Sequence, residues 1–401
     1  MICRICNAPT EEILDLGSTP PANSLLDNPI ADQQCFPLVL ELCATCHNVQ
    51  LRDCMCSTDL YRNYLYVTPN SSMLESHYKY LYNYLEASGY VNNESFVVEV
   101  GSNIGLFLSF IKPKVAHVLG IDPAENICKM AVDAGIDTIC DFFNAASAVE
   151  IKRRHGVPDL IIARHCFAHN SDPHVLMRGV TELLSDSGYI VIENAYVLNT
   201  IENNEFDQVY HEHMFYYSIR SMTALLQAHG LQLVDVLISL IHGGSIIFVA
   251  KRKDYGDMIN PSVAQYLARE ELFLDRQAFK NFAAKAYDIR KQLQVLISQL
   301  QNEGKTIYTY GATAKGNTLL NFIGLTCDEI PFCLDSTEIK QGKYLPKSNI
   351  KIISEKDGQL NPPDYFLLTA WNYKDEIINK VREYGNYHSK FIIPFPFVHI
   401  V

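Results

Sequence analysis

The 401-residue chain is 48% hydrophobic and 19% charged, which excludes a disordered chain and supplies apolar material for two or three domains. Its 45 acidic and 33 basic side chains give a formal charge of −12, a balance that disfavours an electrostatic grip on nucleic acid or anionic lipid. The opening MICRICNAP has no basic region leading into an apolar core, and no run of about 18 apolar residues follows, so the expectation is a soluble, cytoplasmic protein, taken as a monomer.

Residues 1–75 are rich in Cys, Pro and Asn and hold only short apolar pieces such as FPLVLELC, too few for a large core. Seven of the twelve cysteines lie before residue 57. Cys3 and Cys6 form one C-x2-C pair, Cys43 and Cys46 a second. Two such knuckles supply four thiolates, the tetrahedral donor set of a closed, structural zinc site. Cys35, Cys54 and Cys56 are left over, with His47 a substitute ligand.

Residues 76–252 alternate strands and helices. FVVEVG, HVLGID, DTICDF, DLIIARHCFAH and GYIVIEN read as strands separated by helical segments, the pattern of a parallel sheet with helices on both faces. LQLVDVLIS and GGSIIFVAKR complete seven. Only IHGG separates the last two, too short for a helical crossover, so the final strand is expected to be an antiparallel hairpin partner. Residues 253–401 open with a helical stretch from Ser262 to Gln301, whose stripe is Phe279, Phe282, Ala286, Ile289, Leu293 and Leu300. A second, smaller α/β unit follows, with strands in KTIYTYG, EIPFCLD, DYFLLTA and KFIIPFP.

Candidate sites fall at strand ends. VVEVGSNIGLFL places Glu99, Gly101, Ser102, Asn103 and Gly105 in the turn from the first central strand into a helix, where glycine admits a ligand close to the backbone. The middle position, usually small, is Asn103. Asp122 ends the second strand, where a carboxylate accepts from ribose hydroxyls, and Asp141, Phe142 and Phe143 follow the third as an adenine platform. A dinucleotide site uses a similar layout, and an α/β domain with no ligand is the plainer alternative.

QVYHEHMFYYS is the densest polar cluster. His-x-His suits a metal, a pair of surface histidines, or a general base with a pKa near neutrality. His169, at the tip of the fourth strand, lies on the same sheet edge. Tyr64 and Tyr66 either line the cleft or serve as packing residues. In YGATAKGNTLLN, Gly311, Lys315 and Asn317 sit on a strand-to-helix turn suited to phosphate, though the Walker ending is absent. Asp335 and Lys343 follow the next strand; solvated loop lysines are the alternative there.

The order CRIC…CATC, EVGSNIGLFL, VYHEHMFYYS, GGS, YGATAKGNTLLN, LDSTEIKQGKYLP resembles the three-domain sugar C-methyltransferases that act on nucleotide-activated keto-deoxyhexoses. The seven-strand pattern with its antiparallel end likewise resembles S-adenosylmethionine methyltransferases, ahead of nicotinamide-dependent enzymes. The resemblance covers nearly the whole chain. It implies an amino-terminal zinc module, a central Rossmann-like methyltransferase domain and a carboxy-terminal Rossmann-like domain. It implies S-adenosylmethionine as methyl donor, architectural zinc, and a nucleotide-diphosphate keto sugar, thymidine diphosphate first, methylated at the carbon beside the ketone. By the same resemblance His213 is the base, Tyr210 and Glu212 orient it or stabilise the enolate, and His169 and Tyr66 are further cleft residues. O- or N-methylation, or a cofactor-binding scaffold, are the competing readings. Two departures stand out: RHCFAH brings Arg164 and His165 to the cofactor pocket, and TAWNY puts Trp371 where a proline-bearing sequence is more usual.

Overall fold

The last six residues of FPLVLELC are buried, and this run forms β2 (Phe36–Cys43) inside the first sheet. In the computed structural model, residues 1–56, 60, 67–68, 71–239, 241–255 and 258–401 are described. β2 pairs antiparallel with β1 (Thr10–Thr19) on one side and with β3 (Val49–Leu51) on the other. The fourth strand of this sheet comes from the VYHEHMFYYS segment, which will be called β9 (Phe215–Tyr216). Gln50 lies opposite Phe215 and Val49 opposite Tyr216. Two residues carry no periodicity, so this strand is invisible in the sequence.

All seven central strands form: β4 (Phe96–Val100), β5 (His117–Asp122), β6 (Thr138–Cys140), β7 (Leu160–Arg164), β8 (Tyr189–Ala195), β10 (Leu231–Ser239) and β11 (Ser245–Arg252), in the order β10-β11-β8-β7-β4-β5-β6. FVVEV is buried at every position, as a parallel strand covered on both faces must be. β11 runs antiparallel to both neighbours, Phe248 facing Ile192 and Val236, which is the expected hairpin ending. Around this sheet lie α1 (Ser72–Ala87), α2 (Leu106–Ile111), α3 (Glu125–Asp133), α4 (Ala145–His155), α5 (Pro173–Leu183), α6 (Val197–Glu202) and α7 (Ile219–Gln227). The strands run in step, Glu99 opposite Gly120 and Arg164 opposite Glu193, so Glu99, Asp122, Arg164 and Glu193 all end at one carboxyl edge. In an open α/β sheet that edge is where ligands sit. The histidine cluster does not follow β8 directly, because α6 and a short 3-10 turn, Phe206–Gln208, intervene.

The expected helix over 262–301 is two helices, α8 (Pro261–Phe273) and α9 (Arg276–Asn302). The Asp275 carboxylate accepts from the Ala278 amide at 2.7 Å and starts the second one. Short acceptors capture such an amide in preference to continuing the helix. α9 buries the six stripe residues named above and Ile297. Its Tyr287 hydroxyl donates to the Asp15 carbonyl at 2.9 Å and its Gln294 amide to the Ile323 carbonyl at 2.6 Å, fastening the first sheet to the third.

That third sheet contains β12 (Ile307–Tyr310), β13 (Phe332–Leu334), β14 (Lys351–Ile353), β15 (Tyr365–Leu368), β16 (Lys390–Ile393) and β17 (His399–Ile400), in the order β14-β13-β12-β15-β16-β17. It is parallel except for β17, and α10 (Ala314–Ile323), α11 (Glu355–Leu360) and α12 (Lys374–Glu383) connect its strands. The fold is α/β, a small antiparallel front sheet followed by two Rossmann-like layers. Among the described residues no helix is long and apolar enough to cross a membrane.

Candidate active site

Two matching turns build the metal centre. The Asn7 amide donates to the Cys3 carbonyl and the His47 amide to the Cys43 carbonyl, both at 2.9 Å, and Asn7 and His47 have left-handed backbones with φ of 60° and 57°. Each turn therefore aims two thiols at one point. Cys3 Sγ lies 3.5 Å from Cys46 Sγ, Cys6 Sγ lies 3.5 Å from Cys43 Sγ, and all four sulfurs fall within 4.8 Å of one another. A zinc tetrahedron with ~2.3 Å bonds has sulfur edges of ~3.8 Å, so the donor set fits zinc. The Cys3–Cys46 contact, helped by backbone amides, draws the Cys3 thiol below its ordinary range, while the same contact and burial push Cys46 up, as two thiols sharing one proton must. His47 is a turn residue here, and its imidazole is not in the cluster.

The donor turn hangs between β4 and α2. Gly101 and Gly105 have φ of 66° and 75°, and a Cβ on Gly101 would come within 2.5 Å of the Cys166 Cβ, so glycine is required there. The carboxylate of Asp122 accepts from the Asn103 amide and the Ala124 amide, each at 3.0 Å, holding the loops after β4 and β5 together. Glu99 is buried; its Oε1 accepts from Arg164 Nε at 2.9 Å and Nη2 at 2.7 Å. Burial raises the Glu99 carboxyl and the Arg164 charge opposes that rise. Its Oε2 and the Ser102 hydroxyl are buried with no protein partner. Two orphaned polar atoms beside a turn that tolerates no side chain suit the polar end of S-adenosylmethionine. Asp141 is exposed and Phe142 half-buried at the rim, whereas Phe143 is buried in the core, its ring within 2.8 Å of where a Gly179 Cβ would lie. Of the departures, Arg164 thus neutralises Glu99, and His165 Nε2 faces Glu193 at 3.9 Å.

His213 stands where the three sheets meet. The amide of Met214 donates to the Ala168 carbonyl at 2.9 Å, and the Leu51 amide to the Met214 carbonyl at 3.0 Å. This brings His169 alongside, ring centroids 5.2 Å apart. His213 Nδ1 lies 3.1 Å from the Gln208 carbonyl oxygen, which can only accept, so Nδ1 carries the proton. Nε2 is then the acceptor for the Tyr210 hydroxyl at 2.6 Å. Burial lowers His169 to about 4, leaving it neutral. Glu212 is buried, its carboxyl raised by burial, and accepts from Asn23 Nδ2 at 2.9 Å. His211 turns the other way, Nε2 at 3.3 Å from the Phe36 carbonyl, so the His-x-His pair does not converge as a metal site. Tyr64 and Tyr66 lie outside the described residues; the nearby Thr68 amide donates to Asn103 Oδ1 at 3.0 Å.

The residues expected around phosphate have separate partners. Lys315 lies over the Trp371 ring at 5.6 Å, Lys343 pairs with Asp27 at 2.5 Å, and Asp335 accepts from the Ala312 and Thr337 amides at 2.8 Å. Gly311 has φ of 107° and packs against Ala370, while Asn317 is buried with both amide atoms lacking a protein partner. Sequence reasoning missed Gln208, which acts through its carbonyl and leaves no trace in residue type. It also missed Asp207, an acid set in the apolar EFDQVY, a contrast that could have pointed to it.

This strand order and donor turn are those of the S-adenosylmethionine-dependent methyltransferases, with a zinc-binding module at the front. Residues 75–236 match a methyltransferase domain family, residues 240–396 the C-methyltransferase C-terminal domain, and residues 3–61 a zinc binding domain. C-methyltransferase NovU of Streptomyces niveus is 36% identical over 399 residues, 98% of this chain and 95% of that relative. The chain belongs to the C-methyltransferase family and is an S-adenosylmethionine-dependent C-methyltransferase. Among solved structures, magnesium protoporphyrin IX methyltransferase of Synechocystis PCC 6803 with bound SAM overlaps 45% of this chain and 79% of its own at 13% identity and a TM-score of 0.34. N-methyltransferase NodS of Bradyrhizobium japonicum WM9 overlaps 46% and 98% at 12% identity and a TM-score of 0.35.

Proposed function

We propose that the enzyme methylates the carbon beside the ketone of a nucleotide-linked keto-deoxysugar, thymidine diphosphate being the first nucleotide to test, with His213 as the base. The observation that carries this is the fixed tautomer of His213: Nδ1–H held by the Gln208 carbonyl at 3.1 Å leaves Nε2 as a proton acceptor. A hydrogen α to a ketone is acidic enough for a held imidazole, and such a base contributes about 10²–10⁴-fold. The α C–H bond breaks, its proton goes to Nε2, and the electron pair moves into an enolate. S-adenosylmethionine, when bound, supplies an electrophilic methyl group with its own leaving group. Tyr210, released from Nε2 by the incoming substrate, donates to the enolate oxygen; Glu212 steadies the loop, and His169, neutral, walls the cleft. Glu99, Gly101, Ser102, Asn103, Gly105, Asp122, Asp141 and Phe142 hold the donor. Cys3, Cys6, Cys43 and Cys46 hold zinc, whose closed thiolate shell leaves no position for substrate. Of the third sheet's residues, Gly311 and the buried amide of Asn317 are assigned to substrate. The three segments 1–75, 76–252 and 253–401 are assigned to front module, methyltransferase domain and C-terminal domain.

The test is a panel of nucleotide keto sugars incubated with labelled donor in deuterated water. Labelled C-methyl product together with exchange of the substrate α hydrogen is the expected result. A methylated oxygen or nitrogen without exchange overturns it in favour of O- or N-methylation.

A further inference from the structure

We infer that Trp371, in the C-terminal part of the chain, is a positioning residue for His213, acting through the 206–209 turn. This rests on the reading of His213 as the base.

The turn is gripped at three points by α10 and by loops at the ends of third-sheet strands. Trp371 Nε1 donates to Asp207 Oδ2 at 2.7 Å, the Thr318 hydroxyl donates to the Val209 carbonyl at 3.2 Å, and the Phe206 ring packs edge-on against Phe322 and Phe395 at 5.2 and 5.1 Å. Asp207 is fully buried, and an ionised carboxylate is not left there without partners. Burial raises its carboxyl; the Lys315 charge and the Trp371 N–H oppose that rise. Lys315 itself lies over the Trp371 ring at 5.6 Å. The residue between Asp207 and Val209 is Gln208, and its carbonyl accepts from both His213 Nδ1 at 3.1 Å and the Tyr216 hydroxyl at 2.9 Å. The peptide that fixes the tautomer of the base is therefore flanked on both sides by residues whose partners belong to the helix and turn that follow strands of the third sheet.

The site of Trp371 explains why the contact forms. β15 ends at Leu368, and a 3-10 turn at Trp371–Tyr373 follows. Thr369 donates its hydroxyl to the Gly311 carbonyl at 2.7 Å, which ties the end of β15 to the start of the YGATAKGN turn and sets Trp371 beside Lys315. A tryptophan suits this place because it offers a buried N–H to the carboxylate and a ring face to the cation. Packing alone would be served by any ring; the N–H donor is what reaches the catalytic loop.

The test is Trp371→Phe, which keeps a ring and removes the donor. Nitrogen-15 correlation spectra, with the His213 ring assigned by its loss in His213→Asn, read the tautomer without substrate. The wild-type ring is expected as Nδ1–H alone and the variant as a mixture of tautomers. With a thymidine-diphosphate 4-keto-deoxyhexose as probe, kcat and α-hydrogen exchange should fall about 10–100-fold, the range of a misplaced catalytic group, with KM and donor affinity unchanged. An unaltered Nδ1–H tautomer with unaltered kcat overturns the inference. A shifted tautomer in an enzyme that exchanges no α hydrogen upholds the positioning role and overturns the assignment of the base instead. Should the variant fail to fold, Asp207→Asn, which keeps an acceptor for Trp371, is expected to retain the wild-type tautomer and Asp207→Ala to lose it; equal spectra for the two overturn the inference.

Discussion

The Tyr210 hydroxyl lies 2.6 Å from His213 Nε2, on the one ring nitrogen that the Gln208 carbonyl leaves unprotonated. In the proposed reaction His213 is held with its lone pair covered until a substrate C–H replaces the phenol. The same hydroxyl is then free to face the oxygen where negative charge develops.

Removing the two groups separately has different consequences. His213→Asn is expected to lower methyl transfer by about 10²–10⁴-fold, and Tyr210→Phe by about 10–100-fold, since the phenylalanine leaves the base in place but takes away one donor to the enolate. Neither touches the donor turn, so calorimetric titration with S-adenosylmethionine should give wild-type affinity in both. A His213→Asn enzyme that keeps a tenth of the wild-type rate contradicts the assignment.

Stripping zinc should unfold the front sheet before it weakens donor binding. The four sulfurs tie the Cys3–Cys6 turn to the Cys43–Cys46 turn beside hydrogen bonds such as those from Arg4 to the Leu51 and Arg52 carbonyls, and structural zinc carries roughly 10–16 kcal/mol of binding free energy that is also folding free energy. β9 lies in that sheet and begins two residues after His213, so α-hydrogen exchange should be lost together with the front sheet. Differential scanning calorimetry on protein of measured zinc content checks this. Unchanged melting after verified removal counts against an architectural metal.

Much of the central layer was legible because continuous apolar runs such as FVVEV and LIIAR leave no other structure available to them. The four cysteines were legible because ligand chemistry restricts their spacing. What the sequence hid were contacts between distant segments. A two-residue strand, a backbone carbonyl at Gln208 and a tryptophan reaching Asp207 are set by how the layers dock, which local pattern does not encode. Lys315 shows the same limit: residue type suggested phosphate, and docking turned it towards Trp371 and the acids of the 205–207 turn.

Acidification should destabilise the fold through His169. Burial lowers its pKa from 6.5 to about 4, so the folded state binds the proton less well than the unfolded chain. Its contribution is then fully present above the unfolded pKa and is lost as pH falls from 6.5 towards 4. Urea titrations across that window should show a smaller decline in His169→Gln than in the wild type. Equal slopes would mean that the imidazole titrates normally in the cleft.

Arg164 and Glu99 offer a test of the donor wall. Arg164→Met keeps an unbranched apolar stem against the Tyr78 and Phe107 rings, which the guanidinium now covers at 4.8 and 4.5 Å, but leaves Glu99 buried without its countercharge. Breaking a buried pair in this way costs about 3–5 kcal/mol, because the remaining carboxylate has neither water nor a cation. The stranded carboxyl escapes by taking a proton, so the loss should grow as pH rises above the ordinary carboxylate range. Adding Glu99→Gln removes the charge as well, and the double variant should recover much of the stability while still binding S-adenosylmethionine weakly, since the orphaned Oε2 is gone. Denaturant titrations of the two single variants and the double one give the coupling energy directly. If the double variant is as unstable as Arg164→Met, the guanidinium matters for packing on the two rings, and the pairing with Glu99 contributes little.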